Sequence, residues 1–335
     1  DLESTRDAIF GEIGTVQFPE LMMEVDSHTR FSSTLLGREP ASWEELLSVY
    51  GALLAHGTDM TPTGMALMIP QIKATAISDA MTLLENSAAL RLANDSCVNF
   101  TQRHPITRTW GEGTIASADS MSLDATRHLF SARQDYRRGR KAIGIYTHKL
   151  EQWPIIYDQP IVLMRRQSGA AIEGMLRQRT SEALERVAVD THGFTFFGMG
   201  FSKGLGFDLC PRLKGIKRQL HVPRGTRVPD ILDPVVSRDV SMVNIRAGWD
   251  GFVRLMASVE AGTLSAVLAL ERFGSDSRAD PIHKCGTAMG HLFHTLFLCD
   301  FVSIDDFRRE LLRILDRGES THRLLRAIHA GNILA

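Results

Sequence analysis

The chain has 335 residues, 44% hydrophobic and 23% charged, a soluble-protein balance long enough for one large domain or two ordinary ones without disulfides or structural metal. No apolar run approaches the roughly 20 residues of a membrane helix, no signal peptide is expected, and Cys97, Cys210, Cys285 and Cys299 read as buried free thiols of a reducing, cytoplasmic compartment. Lys and Arg number 38 against 39 Asp and Glu, so overall charge does not announce a nucleic-acid binder.

Residues 1–105 read as mainly helical. Ser42 precedes an apolar-periodic run from Trp43 to Ala55, with Glu45 placed to complete a capping box and Gly57 after the end. Met60 to Phe100 keeps helical spacing, interrupted near Pro70, and His104-Pro105 punctuates the chain. The texture then changes. Lys141–His148, Ile155–Met164 and Arg186–Val189 are short, β-branched or aromatic runs that predict strands. Ser168–Arg177 between them predicts a helix, and Phe207–Cys210 another strand. From about 240 to 335 the pattern returns to helix, with Trp249, Val253, Leu255 and Met256 marking an amphipathic stretch.

Local charge is uneven. Arg212, Lys214, Lys217, Arg218, Arg224 and Arg227 stand with His221 in a stretch free of acids. A second cluster holds Arg133, Arg137, Arg138, Arg140 and Lys141 against Asp135. Such clusters suit phosphate contacts, though a solvated loop has the same composition.

Three local signals compete for the chemistry. Gly200-Phe201-Ser202-Lys203-Gly204 matches the G-x-S-x-G elbow of a serine hydrolase, but Gly204 and Gly206 interrupt the helix that should follow. Gly198, Gly200, Gly204 and Gly206 lack dinucleotide-fingerprint spacing, and a tightly packed helix or turn explains them better. The third signal is a set of acids at expected element ends. Asp190 follows Val187-Ala188-Val189, Asp119 closes the small-residue run from Gly111, and Glu319 follows Asp316-Arg317-Gly318 as the start of a helix. Magnesium takes carboxylate oxygens, and two ions about 3.5–4 Å apart clamp a phosphoryl transfer. Each acid alone also has a plain turn or cap explanation.

The string from Trp110 to Asp124, W-G-E-G-T-I-A-S-A-D-S-M-S-L-D, resembles the W-G-D-G-T-x-A-S-S-D-x-M-S-L-D signature of Tn-three family transposases. Ordered matches follow in Tyr146-Thr147-His148, Tyr157-Asp158-Gln159-Pro160, Asp190-Thr191-His192-Gly193, Leu209-Cys210-Pro211-Arg212, Thr295-Leu296-Phe297 and Gly318-Glu319. Upstream, Tyr50 to Thr58 is also similar, so the resemblance covers nearly the whole chain. Glu112 stands where the family usually has Asp.

That resemblance implies a mixed α/β (α+β) fold. An RNase H-like mixed sheet flanked by helices occupies residues 106–335, with a helical insertion at about 225–315 before the last catalytic helix. Residues 1–105 form a helical N-terminal lead-in. It places a D-D-E metal triad on Asp119, Asp190 and Glu319, 71 and 129 residues apart, holding two Mg (or Mn) ions. The implied function is DNA strand cleavage and strand transfer in the bacterial cytoplasm, with transposon ends and target DNA as partners and a homodimer or higher assembly when active. Arg212, Lys214, Lys217 and Arg218 are the expected DNA-backbone contacts. His148 and His192 are read either as groups orienting phosphate or water, or as hydrogen-bonded structural histidines. The chain begins Asp-Leu-Glu and stops sixteen residues after Glu319, as a fragment truncated at its C-terminus would. The alternative is therefore a truncated transposase remnant that binds DNA without catalysing strand transfer.

Overall fold

A computed structural model describes residues 2–58, 60–124, 132–136, 139–163, 165–180, 183–213, 220–274 and 279–328. They divide into one unit of residues 2–104 with 326–328 and another of 105–325.

The first unit is helical: α1 (Leu2–Ile13), α2 (Phe18–Thr29), α3 (Phe31–Leu36), α4 (Trp43–Gly57), α5 (Pro62–Met68), α6 (Ala74–Leu83) and α7 (Ser87–Arg103). Its core gathers Phe31, Leu35, Val49, Ala52 and Ile77. Asp26 is buried and satisfied, accepting from the Tyr50 hydroxyl at 2.7 Å and the Ser32 amide at 2.8 Å. Ser42 caps α4 by accepting from the Glu45 amide. The expected box is only half made, because the Glu45 carboxylate accepts from the Ala41 amide and Arg38 instead. Gly57 ends the helix rather than following it.

The second unit is built on a mixed sheet of β1 (Ile115–Asp124), β2 (Arg133–Asp135), β3 (Arg140–Leu150), β4 (Ile155–Ile161), β5 (Arg186–Val189) and β6 (Asp208–Pro211). β3 pairs antiparallel with β1, β2 and β4, while β5 and β6 run parallel to β1 on its other side. Parallel neighbours need crossovers. α8 (Ser168–Arg177) precedes β5, and α9 (Phe196–Gly204) joins β5 to β6. Ala116, Ala118, Val187, Ala188 and Val189 are fully buried, so the small-residue run forms a central strand from Ile115 onward, while residues 111–114 lead into it. The mixed α/β architecture expected from the sequence is present and is consistent with an RNase H-like domain.

Several details differ from expectation. Asp119 lies in the middle of β1, which continues to Asp124. Glu319 does not start a helix: α13 runs unbroken from Asp305 to Ile328. The stretch expected as a helical insertion also carries a strand, β8 (Val236–Val240), which pairs in parallel with β7 (Leu220–Pro223) just before it, with a 3-10 turn at Asp230–Val235 between them. α10 (Met242–Glu260), α11 (Ala266–Gly274) and α12 (Pro281–Ser303) follow. The buried stripe of α10 is Ile245, Phe252, Leu255, Met256 and Val259, whereas Trp249 and Val253 remain 43% and 39% exposed. The β4 strand stops at Ile161, and Met164 lies outside the described residues. Cys210 and Cys285 are buried free thiols as expected, but Cys97 is only partly buried and Cys299 is exposed.

The glycines of α9 serve packing. A Cβ on Gly200 would meet the Gly290 amide of α12 at 2.8 Å, and one on Gly290 would run into the Phe196 carbonyl. Ser202 is fully buried and donates to the Met199 carbonyl at 3.0 Å. The elbow motif therefore presents no nucleophile.

Candidate active site

The C-terminal end of β5 lies level with the middle of β1 and brings the two aspartates together. Ala118 of β1 is in register with Val189 of β5, so Asp119 and Asp190 are the next residues on adjacent strands. Val189 is also in register with Pro211 of β6, and the Arg212 amide donates to the Val189 carbonyl at 2.8 Å. Asp119, Asp190 and Arg212 thus stand side by side across β1, β5 and β6.

Side chains alternate across a strand, and α13 covers the face that carries Ser117 and Asp119. A Cβ on Gly318 would sit 3.2 Å from Ser117 Oγ, so the missing side chain lets the helix approach the strand closely. One turn on, His322 Nδ1 lies 3.6 Å from Asp119 Oδ2. Glu319, beside Gly318, reaches Arg212 at 3.1 Å. All three predicted acids therefore share this end of the unit. They are not drawn into a single-ion cluster: among the described residues, only a different group has three ligand atoms all within 4.8 Å of one another.

The aspartates are oriented by backbone amides. Asp119 Oδ1 accepts from the Ser120 amide at 2.7 Å. Asp190 Oδ1 accepts from the His192 and Gly193 amides at 2.9 and 2.8 Å, a local Asx arrangement that accounts for the residues following the acid. Tyr146, fully buried behind them, has its phenol pKa pushed well up by burial and by the charges of Asp190 and Asp119.

The opposite end of β3 locks α13 in place. Glu151 is buried, accepting from the Gly113 and Thr114 amides at 2.7 and 3.2 Å; burial pushes its carboxyl pKa up. Gly111, at φ +154°, leaves room where a Cβ would overlap that carboxylate. Arg317 of α13 donates to the carbonyls of Trp110 and Glu151 at 2.8 and 2.6 Å. Lys149 donates to the Arg317 carbonyl at 2.8 Å and to the Thr321 hydroxyl, and lies over the Trp153 ring. Burial, then the nearby Arg317 charge, lower its pKa to about 8. The W-G-E-G string is thus a clamp for the helix that bears Glu319.

Of the other candidates, His148 is in register with Ala118 and so faces away from Asp119. It is fully buried against α8, with Nε2 2.8 Å from the Ala171 carbonyl. Between its two expected readings, the geometry supplies the hydrogen-bonded structural one. His192 is exposed beside Asp190. Lys214, Lys217 and Arg218 lie outside the described residues, as do Arg137 and Arg138. Arg212, from a stretch with no acid of its own, pairs with the distant Glu319. Sequence reasoning missed His322, Lys149 and Arg317. A signal for His322 was available, since positions three apart on a helix share a face and it follows Glu319 by three.

Metal-ion chemistry fits this donor set. Hard carboxylate oxygens oriented by backbone amides suit a divalent metal ion. No single described helix is long and apolar enough to cross a membrane.

Comparison with known proteins bears on the same residues. The model of the family described as Tn3 transposase DDE domain matches residues 20–334. The chain is 47% identical over 334 residues to the transposase for insertion sequence element IS1071 in transposon Tn5271 of Comamonas testosteroni, covering 99% of this chain and 34% of that protein. It is 28% identical to the transposase for transposon Tn3926 of Escherichia coli and 26% identical to that for Tn501 of Pseudomonas aeruginosa, each over 93% of this chain and 32% of the relative. The chain thus spans about a third of the length of the curated relatives it matches. No solved structure matches it.

Proposed function

From a chain that belongs to the Tn3 transposase DDE domain family, we propose the catalytic region of a DNA transposase that cleaves DNA strands and transfers them to a target. The observation carrying this reading is the placement of Asp119 and Asp190 on adjacent parallel strands, under the helix face bearing Glu319 and His322. Asp119, Asp190 and Glu319 would hold two Mg (or Mn) ions. Bound there, such ions polarise the attacking and leaving oxygens of an in-line phosphoryl transfer. The amides on Asp119 and Asp190 keep the carboxylates aimed, and the Arg317–Lys149 clamp keeps Glu319 in reach.

Cleavage by water would be followed by attack of the freed 3′-hydroxyl on target DNA. Transposon ends and target are the DNA partners, in an assembly of two or more subunits in the bacterial cytoplasm. Residues 106–335 are the catalytic domain in this reading, and 1–105 the helical region preceding it. Arg212 and the basic residues Lys214, Lys217 and Arg218 contact the DNA backbone, positioning it without reading sequence. His192, exposed beside Asp190, is the candidate for orienting phosphate or water. The presence of all three acids at one end of the sheet favours catalysis over a DNA-binding remnant.

The test is Asp190→Ala in an otherwise complete enzyme. Cleavage in magnesium should be abolished while DNA retention survives, because losing a metal ligand removes transition-state charge stabilisation and leaves other phosphate contacts intact. Cleavage near the original rate would remove Asp190 from the ligand set. Ser202→Ala should leave cleavage in place.

A further inference from the structure

Among the described residues, one group brings three metal-ligand atoms within 4.8 Å of one another: His221, Asp239 and His291. They come from β7, β8 and α12, apart from the three acids. His221 Nδ1 lies 2.9 and 3.1 Å from the two Asp239 oxygens, and His291 Nδ1 lies 3.9 Å from Asp239 Oδ1. The two imidazoles are stacked at 4.0 Å with 12° between their planes, and Phe196 stands edge-on to both. Thr295, one turn along α12 from His291, fixes His221 from behind. Its hydroxyl accepts from the His221 amide at 2.6 Å and donates to the His221 carbonyl at 2.8 Å.

We propose that His221, Asp239 and His291 form a second metal site that takes a zinc-class divalent ion. Two imidazole nitrogens and one carboxylate suit zinc and its neighbours, whereas magnesium prefers oxygen alone. Zinc bonds of about 2.0–2.2 Å place tetrahedral ligands roughly 3.4 Å apart, within the range seen here. Three protein ligands leave a fourth position for water. The ion takes the place of the hydrogen bond between His221 and Asp239. It lies in the plane of each ring it binds, so the stacked imidazoles tilt apart on loading. Its structural effect is to tie the β7–β8 pair to α12, which packs against α9 through Gly200 and Gly290. The inference does not depend on the catalytic reading, because none of these residues belongs to the acid triad.

The test is a zinc titration of the 335-residue chain against a chromophoric chelator, with cobalt as an absorbing substitute. One equivalent of zinc should bind in the native chain and in an Asp119→Asn/Asp190→Asn double variant. Cobalt should give ligand-field bands of nitrogen–oxygen coordination that vanish in His291→Asn. Asp239→Asn keeps the side-chain volume at a half-exposed position and serves if His291→Asn does not fold. It should weaken zinc by more than the roughly 10–100-fold typical of losing an outer partner alone. Zinc affinity unchanged in Asp239→Asn would overturn the proposal, as would a native chain whose zinc is abolished by the double variant. A zinc-dependent rise in thermal midpoint, absent in Asp239→Asn, would support the tie between β7–β8 and α12.

Discussion

Arg212 and Glu319 meet at 3.1 Å with both side chains about half open to solvent, and an exposed pair of this kind contributes about 0–1 kcal/mol. A divalent ion carries twice the charge of the guanidinium, so the arginine is a weak competitor for Glu319. Arg212→Ala should tighten manganese binding, by up to about fivefold, and at the same time weaken DNA retention. Paramagnetic manganese titration alongside DNA binding reads both effects. An unchanged manganese affinity would show that Arg212 does not hold Glu319 back. His148 gives a different residue-level prediction. Burial lowers its pKa to about 4 from 6.5, so folding favours the neutral ring. Between those values the unfolded chain binds the extra proton. The contribution is whole above about pH 6.5 and is lost as pH falls through the window, on the order of 3 kcal/mol in all. His148→Gln should flatten that part of the stability–pH curve in urea unfolding, and an unaltered slope would assign it to other groups.

Gly318 decides how α13 meets the sheet. A methyl there would sit 3.2 Å from Ser117 Oγ, close enough for a small shift to absorb. Gly318→Ala should therefore keep most metal binding at the triad. Gly318→Leu should lift the helix and lose that binding while far-ultraviolet circular dichroism stays native; leucine behaving like alanine would refute the close approach. This glycine also explains a misreading. Asp316-Arg317-Gly318 looks like the end of one helix and the cap of the next, because glycine costs about 1 kcal/mol in a helix interior. Packing on β1 and the Arg317 hydrogen bonds override that local preference. By contrast, β5, α8 and the core of β3 were legible, since their apolar spacing and flanking polar residues agree with their burial. The parallel neighbours β1 and β5 were not legible as neighbours, because about 70 residues separate them and no local pattern encodes a crossover pairing. The candidate acids stood out through motif resemblance, and the residues beside them, Lys149, Arg317 and His322, only through the fold.

On the scale of the whole molecule, positive and negative charge nearly cancel, so any DNA affinity must come from how the basic residues are gathered. Replacing Lys214 and Lys217 with Gln together should weaken binding to unrelated DNA sequences about equally. It should also flatten the salt dependence, by about one log unit per log salt for each phosphate that is no longer neutralised. Equal affinity and slope would take that segment off the DNA-binding surface and leave the acids untouched. The arrangement of the acids along the chain has a consequence in time. Asp119 and Asp190 are synthesised before Glu319, which follows 129 residues after Asp190. At about 5–20 residues per second that interval lasts roughly 6–26 seconds. In the proposed reading, where all three carboxylates hold the ions, the nascent chain would carry two of them throughout it, and the centre would stay incomplete until β7, β8 and the helices after them had been made.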